Sequence, residues 1–231
     1  MNYSYIDENV ARVRERIAEA ARRSGRSPDD VLLLAAIKSA DAGEVNYLHS
    51  ALGINDVGEN RVQQLTERYD KLELDGLNIH FIGSLQTNKV KYIIDKVSLI
   101  HSLDSLRLCD EIEKQAGKRG VISRVLVEIN SGNEENKGGV EPREVEGFCL
   151  ELQRYKHIEL CGFMTMAPRC EQKSDYYPYF EKTKLISDKV WKETLGKAGS
   201  PIISMGMSES FEEAVECGAT LVRVGRTLFA K

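Results

Sequence analysis

The sequence of 231 residues contains no apolar run approaching the ~18 residues that a helix needs to span a bilayer. Its opening, MNYSYIDENVARVRERIAEAARRSG, is charged throughout and has no apolar central region, which excludes a secretory signal; its acidic residues argue against a transit peptide. Paired cysteines are missing too. Cys109, Cys149, Cys161, Cys170 and Cys217 are odd in number, none is spaced as CxxC, and no histidine cluster accompanies them. A disulfide framework and a zinc site are therefore disfavoured, and reduced thiols in the cytoplasm are expected. There is no basic block either, since 32 basic and 36 acidic residues are mixed along the chain for a formal charge of -4. Nonspecific nucleic-acid binding is not expected of such a chain. No linker, low-complexity tract or sequence repeat divides it, so one domain over residues 1–231 is expected.

What is present is a rhythm. Ile6, Val10, Val13, Ile17 and Ala20 or Ala21 recur at three- and four-residue spacing, which predicts an N-terminal helix within residues 1–25, packed on the rest of the domain. Gly25 and Pro28 punctuate its end. Eight short runs then begin at VLLLAAIK (31–38) and continue at 54–59, 79–84, 98–104, 123–130, 158–166, 201–207 and 220–229. The first is continuously apolar, as in a strand buried on both faces, and helical patterns such as NRVQQLTERY and LQTNKVKYIIDK separate the runs. Eight alternating units predict an α/β fold, a single closed (β/α)8 barrel; an open doubly wound sheet is the rival.

Ligands of such barrels sit at the carboxyl ends of the strands. The residues expected there are Lys38, Gly58-Glu59-Asn60, Gly83-Ser84 with Gln86 and Asn88, Asn130 with Lys137, Met164, Ser204 through Ser208, and Arg223 through Thr227. Lys38 ends an apolar run, so it is expected to face the barrel mouth, where desolvation would lower its pKa and free its amine for an aldehyde. Pairing with a carboxylate such as Glu59 is the bland alternative. In SMGMSESFEEAVECG a glycine-containing turn leads to Ser208, at the expected helix N-cap, and the helix start could cradle a phosphate. In VRVGRTLFA, Gly225 allows close backbone approach and the amides from Gly225 to Thr227 could complete a phosphate nest. Arg223 shares the inward face with Gly225 and needs an acceptor, either a ligand or a barrel carboxylate such as Glu128.

The motifs AIKSAD, GENRVQQL, IHFIGSLQTNK, EINSGNEENKGG, CGFMTMAP, SMGMSESFEEAVECG and TLVRVGRTLF, in this order, resemble the pyridoxal phosphate homeostasis protein family. That family is similar to the barrel domain of alanine racemase, fold type III of the pyridoxal 5'-phosphate (PLP) proteins. The resemblance implies that PLP is carried as a Schiff base on Lys38, that Arg223 faces the pyridine nitrogen, and that Ser208, Gly225 and Thr227 with nearby amides hold the phosphate. Asn60 and Met164 match positions close to the cofactor, and Ser204, Met207 and Arg226 complete the candidate set. Three departures stand out: Ile37 where a small hydroxylated residue is usual, Ile79 in place of a frequent tryptophan, and LFAK without the usual glycine after Phe229.

The function implied is intracellular vitamin B6 homeostasis: a monomeric PLP carrier that makes transient contacts with PLP-dependent apo-enzymes. An arginine beside the pyridine nitrogen disfavours the protonated ring and weakens it as an electron sink. A racemase-like enzyme is the alternative, although the chain ends with its eighth strand, leaving no room for the racemase's second domain and its tyrosine base. Tyr176, Tyr177 and Tyr179, expected in a loop after the sixth strand, are the substitute bases to examine. A cofactor-free aldolase using Lys38 is the third reading.

Overall fold

Eight parallel strands close into a barrel in simple sequential order, each hydrogen-bonded to the next and the eighth to the first. The computed structural model describes residues 3–132 and 138–231. The strands are β1 (Leu32–Ala36), β2 (Asp56–Glu59), β3 (Asn78–Phe81), β4 (Leu99–Leu103), β5 (Ser123–Glu128), β6 (Ile158–Met164), β7 (Ile202–Ser204) and β8 (Leu221–Val224). Around them lie the helices α1 (Ser4–Arg23), α2 (Ala42–Leu52), α3 (Val62–Arg68), α4 (Leu106–Arg119), α5 (Val145–Leu152), α6 (Tyr177–Lys189) and α7 (Phe211–Glu216). Val31, Ala35 and Ile37 belong to the layer between barrel and helices, whereas Leu34 turns into the barrel with Ile82 and Leu221. Helix α1 buries the predicted stripe of Ile6, Val10, Val13 and Ile17. It also ties the chain ends together: Asn9 Nδ2 donates to the carbonyls of Leu228 and Ala230 at 3.2 and 2.9 Å, and Arg16 forks onto Glu212 of α7.

Two departures from the sequence expectation have physical causes. The third crossover is not an α-helix; its ordered turn is a 3-10 helix over Thr87–Tyr92. β-Branched Thr87, Val90, Ile93 and Ile94 crowd this segment and weaken α-helix formation, yet Val90, Ile93 and Ile94 still bury their side chains against the barrel. The second departure concerns β1, which ends at Ala36 and leaves Ile37 and Lys38 beyond the strand. Among the described residues no helix is long and apolar enough to cross a membrane.

Candidate functional site

The site is built at the seam where β8 meets β1. Their register runs from Leu32 opposite Leu221 to Ala35 opposite Val224, so the next step sets Ala36 beside Gly225. A Cβ on Gly225 would lie 2.6 Å from the Ala36 carbonyl oxygen, so only glycine allows this approach. The seam thus delivers the 225–227 turn beside the segment that carries Lys38. Beyond the strand, the Ile37 amide donates to the Gly58 carbonyl at 3.0 Å, and Arg68 Nη1 donates to the Ile37 carbonyl at 2.8 Å. The same Arg68 nitrogen lies 3.0 Å from Glu59 Oε1. Glu59 is fully buried, and burial raises its pKa against the pull of Arg68. The carboxylate considered as a partner for Lys38 is therefore engaged by Arg68.

Lys38 itself is exposed. The strand that seemed to bury it ends two residues earlier, at Ala36, so its side chain is not enclosed as the sequence suggested. Among the described residues Lys38 forms no hydrogen bond or ion pair. It follows the carboxyl end of β1, the end of the barrel at which ligands of such folds bind.

The β7–α7 connection departs from expectation in a useful way. Helix α7 begins at Phe211 and its N-cap residue is Ser210, not Ser208. Ser210 Oγ accepts from the Met207 amide at 3.3 Å, and Ser208 Oγ accepts from the Gly225 amide at 3.4 Å. Ser208 therefore joins the two phosphate-motif turns instead of capping its own helix. With only six residues in α7, the expected helix-start cradle gives way to loop amides. The amides of Ser208, Arg226 and Thr227 form no hydrogen bond to another described residue. Gly206 holds φ +86 and packs against α7, which sets the path of this turn. The Arg226 guanidinium is exposed and paired with Glu209, leaving its amide as the group offered to a ligand.

Arg223 is 4% exposed inside the barrel. Its Nη1 donates to Ser204 O at 2.8 Å and Ser204 Oγ at 2.7 Å, and Nη2 donates to Thr165 O at 2.9 Å. Of its five N–H donors, Nε–H and one Nη2–H are left without a partner among the described residues. The ion pair with Glu128 weighed from the sequence is not formed; Glu128 contributes only at longer range. Burial lowers the Arg223 pKa to about 10 while Glu128 pulls it up, so the group stays charged at neutral pH. Burial, reinforced by Asp104, raises Glu128 to about 7 against the pull of Arg223. Asn60 stands at the end of β2 with its Oδ1 buried and unpartnered. Met164 is buried at the end of β6, in register between Glu128 and Ser204. Met207 is 40% exposed.

Other candidates fall away from this cluster. Gln86 and Asn88 are exposed, the Asn130 amide is tied to the Val140 carbonyl, and Lys137 lies outside the described residues. The tyrosines expected in a loop are in ordered helix. Tyr176 closes a 3-10 turn, accepts from the Cys170 amide and stacks on Phe180; Tyr177 donates to Glu216, which raises its pKa to about 12. Tyr179, half-buried, lies in α6. Sequence reasoning missed Asp104 and the inward histidines His80 and His101. The signal was available, because IHFIGS and SLIHSLD each carry one histidine inside an otherwise apolar run.

A closed parallel barrel with an accessible lysine, unpartnered loop amides and a buried charged arginine at one seam defines a barrel built to take a small anionic ligand at its carboxyl face. Comparison with known proteins then fixes the family. The chain belongs to the alanine racemase N-terminal domain family, whose model matches residues 6–231, and within it to the pyridoxal phosphate homeostasis proteins. It is 43% identical over 227 residues to the pyridoxal phosphate homeostasis protein of Aquifex aeolicus, covering 97% of each chain. A crystal structure of an unknown protein from Bifidobacterium adolescentis is 31% identical with TM-score 0.87, over 98% of this chain and 95% of that one. The structure of PipY from Synechococcus elongatus with PLP bound is 27% identical with TM-score 0.77, over 93% of this chain and 100% of that one.

Proposed function

We propose that this protein binds pyridoxal 5'-phosphate at the barrel mouth, uses the Lys38 amine to capture it, and serves intracellular vitamin B6 homeostasis as a carrier. One observation carries the reading: Gly225 abuts Ala36, so the unpartnered amides of the β8 turn and the accessible Lys38 share one edge of the mouth. The names of the relatives and the cofactor in PipY support it.

When bound, PLP supplies an aldehyde that condenses with a primary amine. The chain's own residues divide the remaining work. Ser208, Gly225, Arg226 and Thr227 hold the phosphate, chiefly through amides that otherwise lack acceptors. Asn60 and Met164 border the ring, and Met207 lies on the exposed rim. Arg223 offers its free N–H donors to the ring nitrogen, with Ser204 holding the guanidinium from behind. Because a guanidinium does not give up its proton in practice, it donates and leaves the nitrogen unprotonated, which suits holding a cofactor better than stabilising carbanions. Glu59 and Arg68 fix the Ile37 carbonyl and so the backbone from which Lys38 projects. Transient contacts with PLP-dependent apo-enzymes, a monomeric state and a cytoplasmic location belong to the same proposal, the last supported by five free thiols.

One observation favours the racemase-like alternative. Glu128, raised to about 7 and electrostatically coupled to Arg223, has the proton affinity of a general base at neutral pH. Solvent deuterium entering the α-carbon of an amino acid, and lost in Glu128→Gln, would establish it; the carrier reading expects no such exchange. The carrier reading itself is tested by adding PLP, reducing with borohydride and mapping the added mass. Labelling at Lys38 with a visible absorbance band, both lost in Lys38→Ala, is the expected result. Labelling elsewhere, or none, overturns it.

A further inference from the structure

Below the mouth, the barrel interior holds a polar chain that cofactor holding leaves unexplained. Asp56 Oδ1 lies 3.0 Å from His80 Nε2, His80 Nδ1 lies 2.9 Å from His101 Nε2, and His101 Nδ1 lies 3.0 Å from Ser204 Oγ. Arg223 completes it by donating to Ser204 Oγ at 2.7 Å. His101 and Ser204 are each 0% exposed, so the middle of the chain is shielded from bulk water. At the far end, Asp56 and His80 line a cavity of about 400 Å³ among the amino ends of the strands, opposite the mouth.

With both imidazoles neutral, the direction of every bond follows from the two ends. A carboxylate only accepts, so a neutral His80 carries its proton on Nε2 and offers a bare Nδ1. His101 must then donate from Nε2, which leaves its Nδ1 bare and makes Ser204 the donor there. Ser204 has spent its hydrogen and turns its lone pairs to Arg223, which only donates. One sense of donation runs without a break from Arg223 to Asp56. Burial above all, with the Arg223 charge nearby, pushes the pKa of His101 well below the usual range, in keeping with a neutral ring that passes on orientation.

We propose that Asp56, His80, His101 and Ser204 are positioning residues for Arg223, a one-way relay anchored on the far face of the barrel that aims the guanidinium's free donors at the mouth and sets how strongly it draws on the ring of a bound cofactor. This rests on the PLP-binding reading above for its outcome at the ring, but not for the chain itself. The charged and titratable groups facing the relay are Asp56 from β2, His80 from β3, His101 from β4 and Arg124 of β5 at the far cavity. At the mouth they are Glu128 of β5, which acts on Arg223, and Asp104 after β4, which acts through Glu128. Asn78 Nδ2 also donates to Asp56 Oδ1 at 3.2 Å, so the anchoring oxygen is itself held.

The test has two readouts. In the cofactor-free wild-type protein, nitrogen-15 NMR of the imidazoles should show both His80 and His101 as the Nε2–H tautomer; either ring protonated on Nδ1 overturns the relay with no variant needed. Asp56→Ala should abolish that preference, whereas Asp56→Asn, which keeps the accepting oxygen, should retain it. In PLP-loaded protein, Asp56→Ala should weaken binding about tenfold, the worth of one well-placed hydrogen bond. It should also move the pH at which the visible band changes upward by about half a unit or more, because a loosened Arg223 draws less electron density and the Lys38 nitrogen keeps its proton to higher pH. A purely structural role would change neither tautomers nor that midpoint, so unchanged values sink the proposal. If wild-type protein shows the predicted tautomers but no label at Lys38, it is the PLP-binding reading that fails, and with it the outcome at the ring.

Discussion

The two walls of the barrel mouth are opposite in charge and built by different means. The seam wall, from β7 through β8 to β1, offers donors: loop amides, Arg223 and Lys38. The far wall, at β4 and β5, offers the carboxyls Asp104 and Glu128. On the seam wall the groups are mostly backbone, fixed by glycines whose missing side chains let strands and turns approach. On the far wall they are side chains, and burial raises the pKa of Glu128. On the proposed reading, a ligand spanning the mouth would meet a permanent anion site on one side and a proton-responsive group on the other. The asymmetry would then give the phosphate end of a cofactor a fixed seat and leave its ring near a group that titrates.

The largest expected effect comes from breaking the seam. Gly225→Ala places a methyl carbon 2.6 Å from the Ala36 carbonyl oxygen, a contact real Cβ atoms do not make. Strands β1 and β8 must then separate, at a cost of about 2–3 kcal/mol by analogy with overpacked cores, and PLP labelling of Lys38 should drop with them. Gly147, within α5, has nothing within 4 Å of such a carbon. There the same change should raise stability by about 0.5–1 kcal/mol, the usual gain of alanine over glycine in a helix. Denaturant unfolding of the two variants compares a glycine held by contact with one that is not. Equal stability changes would mean that the seam is not pinned at Gly225.

The seam wall was legible in the sequence because glycine, serine and arginine stand at strand ends in fixed order, and the backbone needs those residue types there. The eight-strand barrel was legible from its apolar runs. The exposure of Lys38 was not: a run of apolar residues does not reveal where strand pairing stops, and β1 stops at Ala36. Ser208 looked like a cap because a serine before a helix usually is one; the two-residue shift to Ser210 depends on the path of the turn after Gly206. The far wall was nearly silent. Glu128 could be seen only as a partner for Arg223, and the influence of Asp104 on it arises between the carboxyl ends of neighbouring strands β4 and β5, which no local pattern records. His80 and His101 were visible as interruptions, but their joining across the barrel needed the register of β3 and β4.

On the far wall the measurable consequence is pH dependence. Glu128 has its pKa raised from 4.5 to about 7 by burial, with Asp104 adding to the shift. The folded state therefore binds this proton more tightly than the unfolded chain. Its contribution to stability is fully present below about pH 4.5 and is lost as pH rises through about 7. The full span is about 3 kcal/mol by linkage, at 1.36 kcal/mol per pKa unit. Glu128→Gln, permanently neutral, should remove that slope in cofactor-free protein. A slope that survives the substitution would place the titration on another group. Gly225→Ala should leave the slope in place, since it acts on the opposite wall.

The smallest effect separates two serines on the seam wall. Ser208 Oγ takes the Gly225 amide and Ser210 Oγ takes the Met207 amide, at 3.4 and 3.3 Å. Each serine→alanine change leaves one backbone donor without its acceptor, at a cost of about 1 kcal/mol, so the two variants should unfold alike. Their binding should differ. Ser208 bridges the β7 and β8 turns, and its loss frees the Gly225–Thr227 amides from the position in which they meet a phosphate; about tenfold weaker PLP binding is expected. Ser210 only ties the turn that precedes α7, so Ser210→Ala should bind within about twofold of wild type, a few tenths of a kcal/mol. Inorganic phosphate should compete with PLP for wild type and Ser210→Ala, and more weakly for Ser208→Ala. Equal loss in both variants would mean that the anion is held by the turn from Met207 to Ser210, and the contrast between a backbone-built wall and a titrating one would have to be redrawn around that turn.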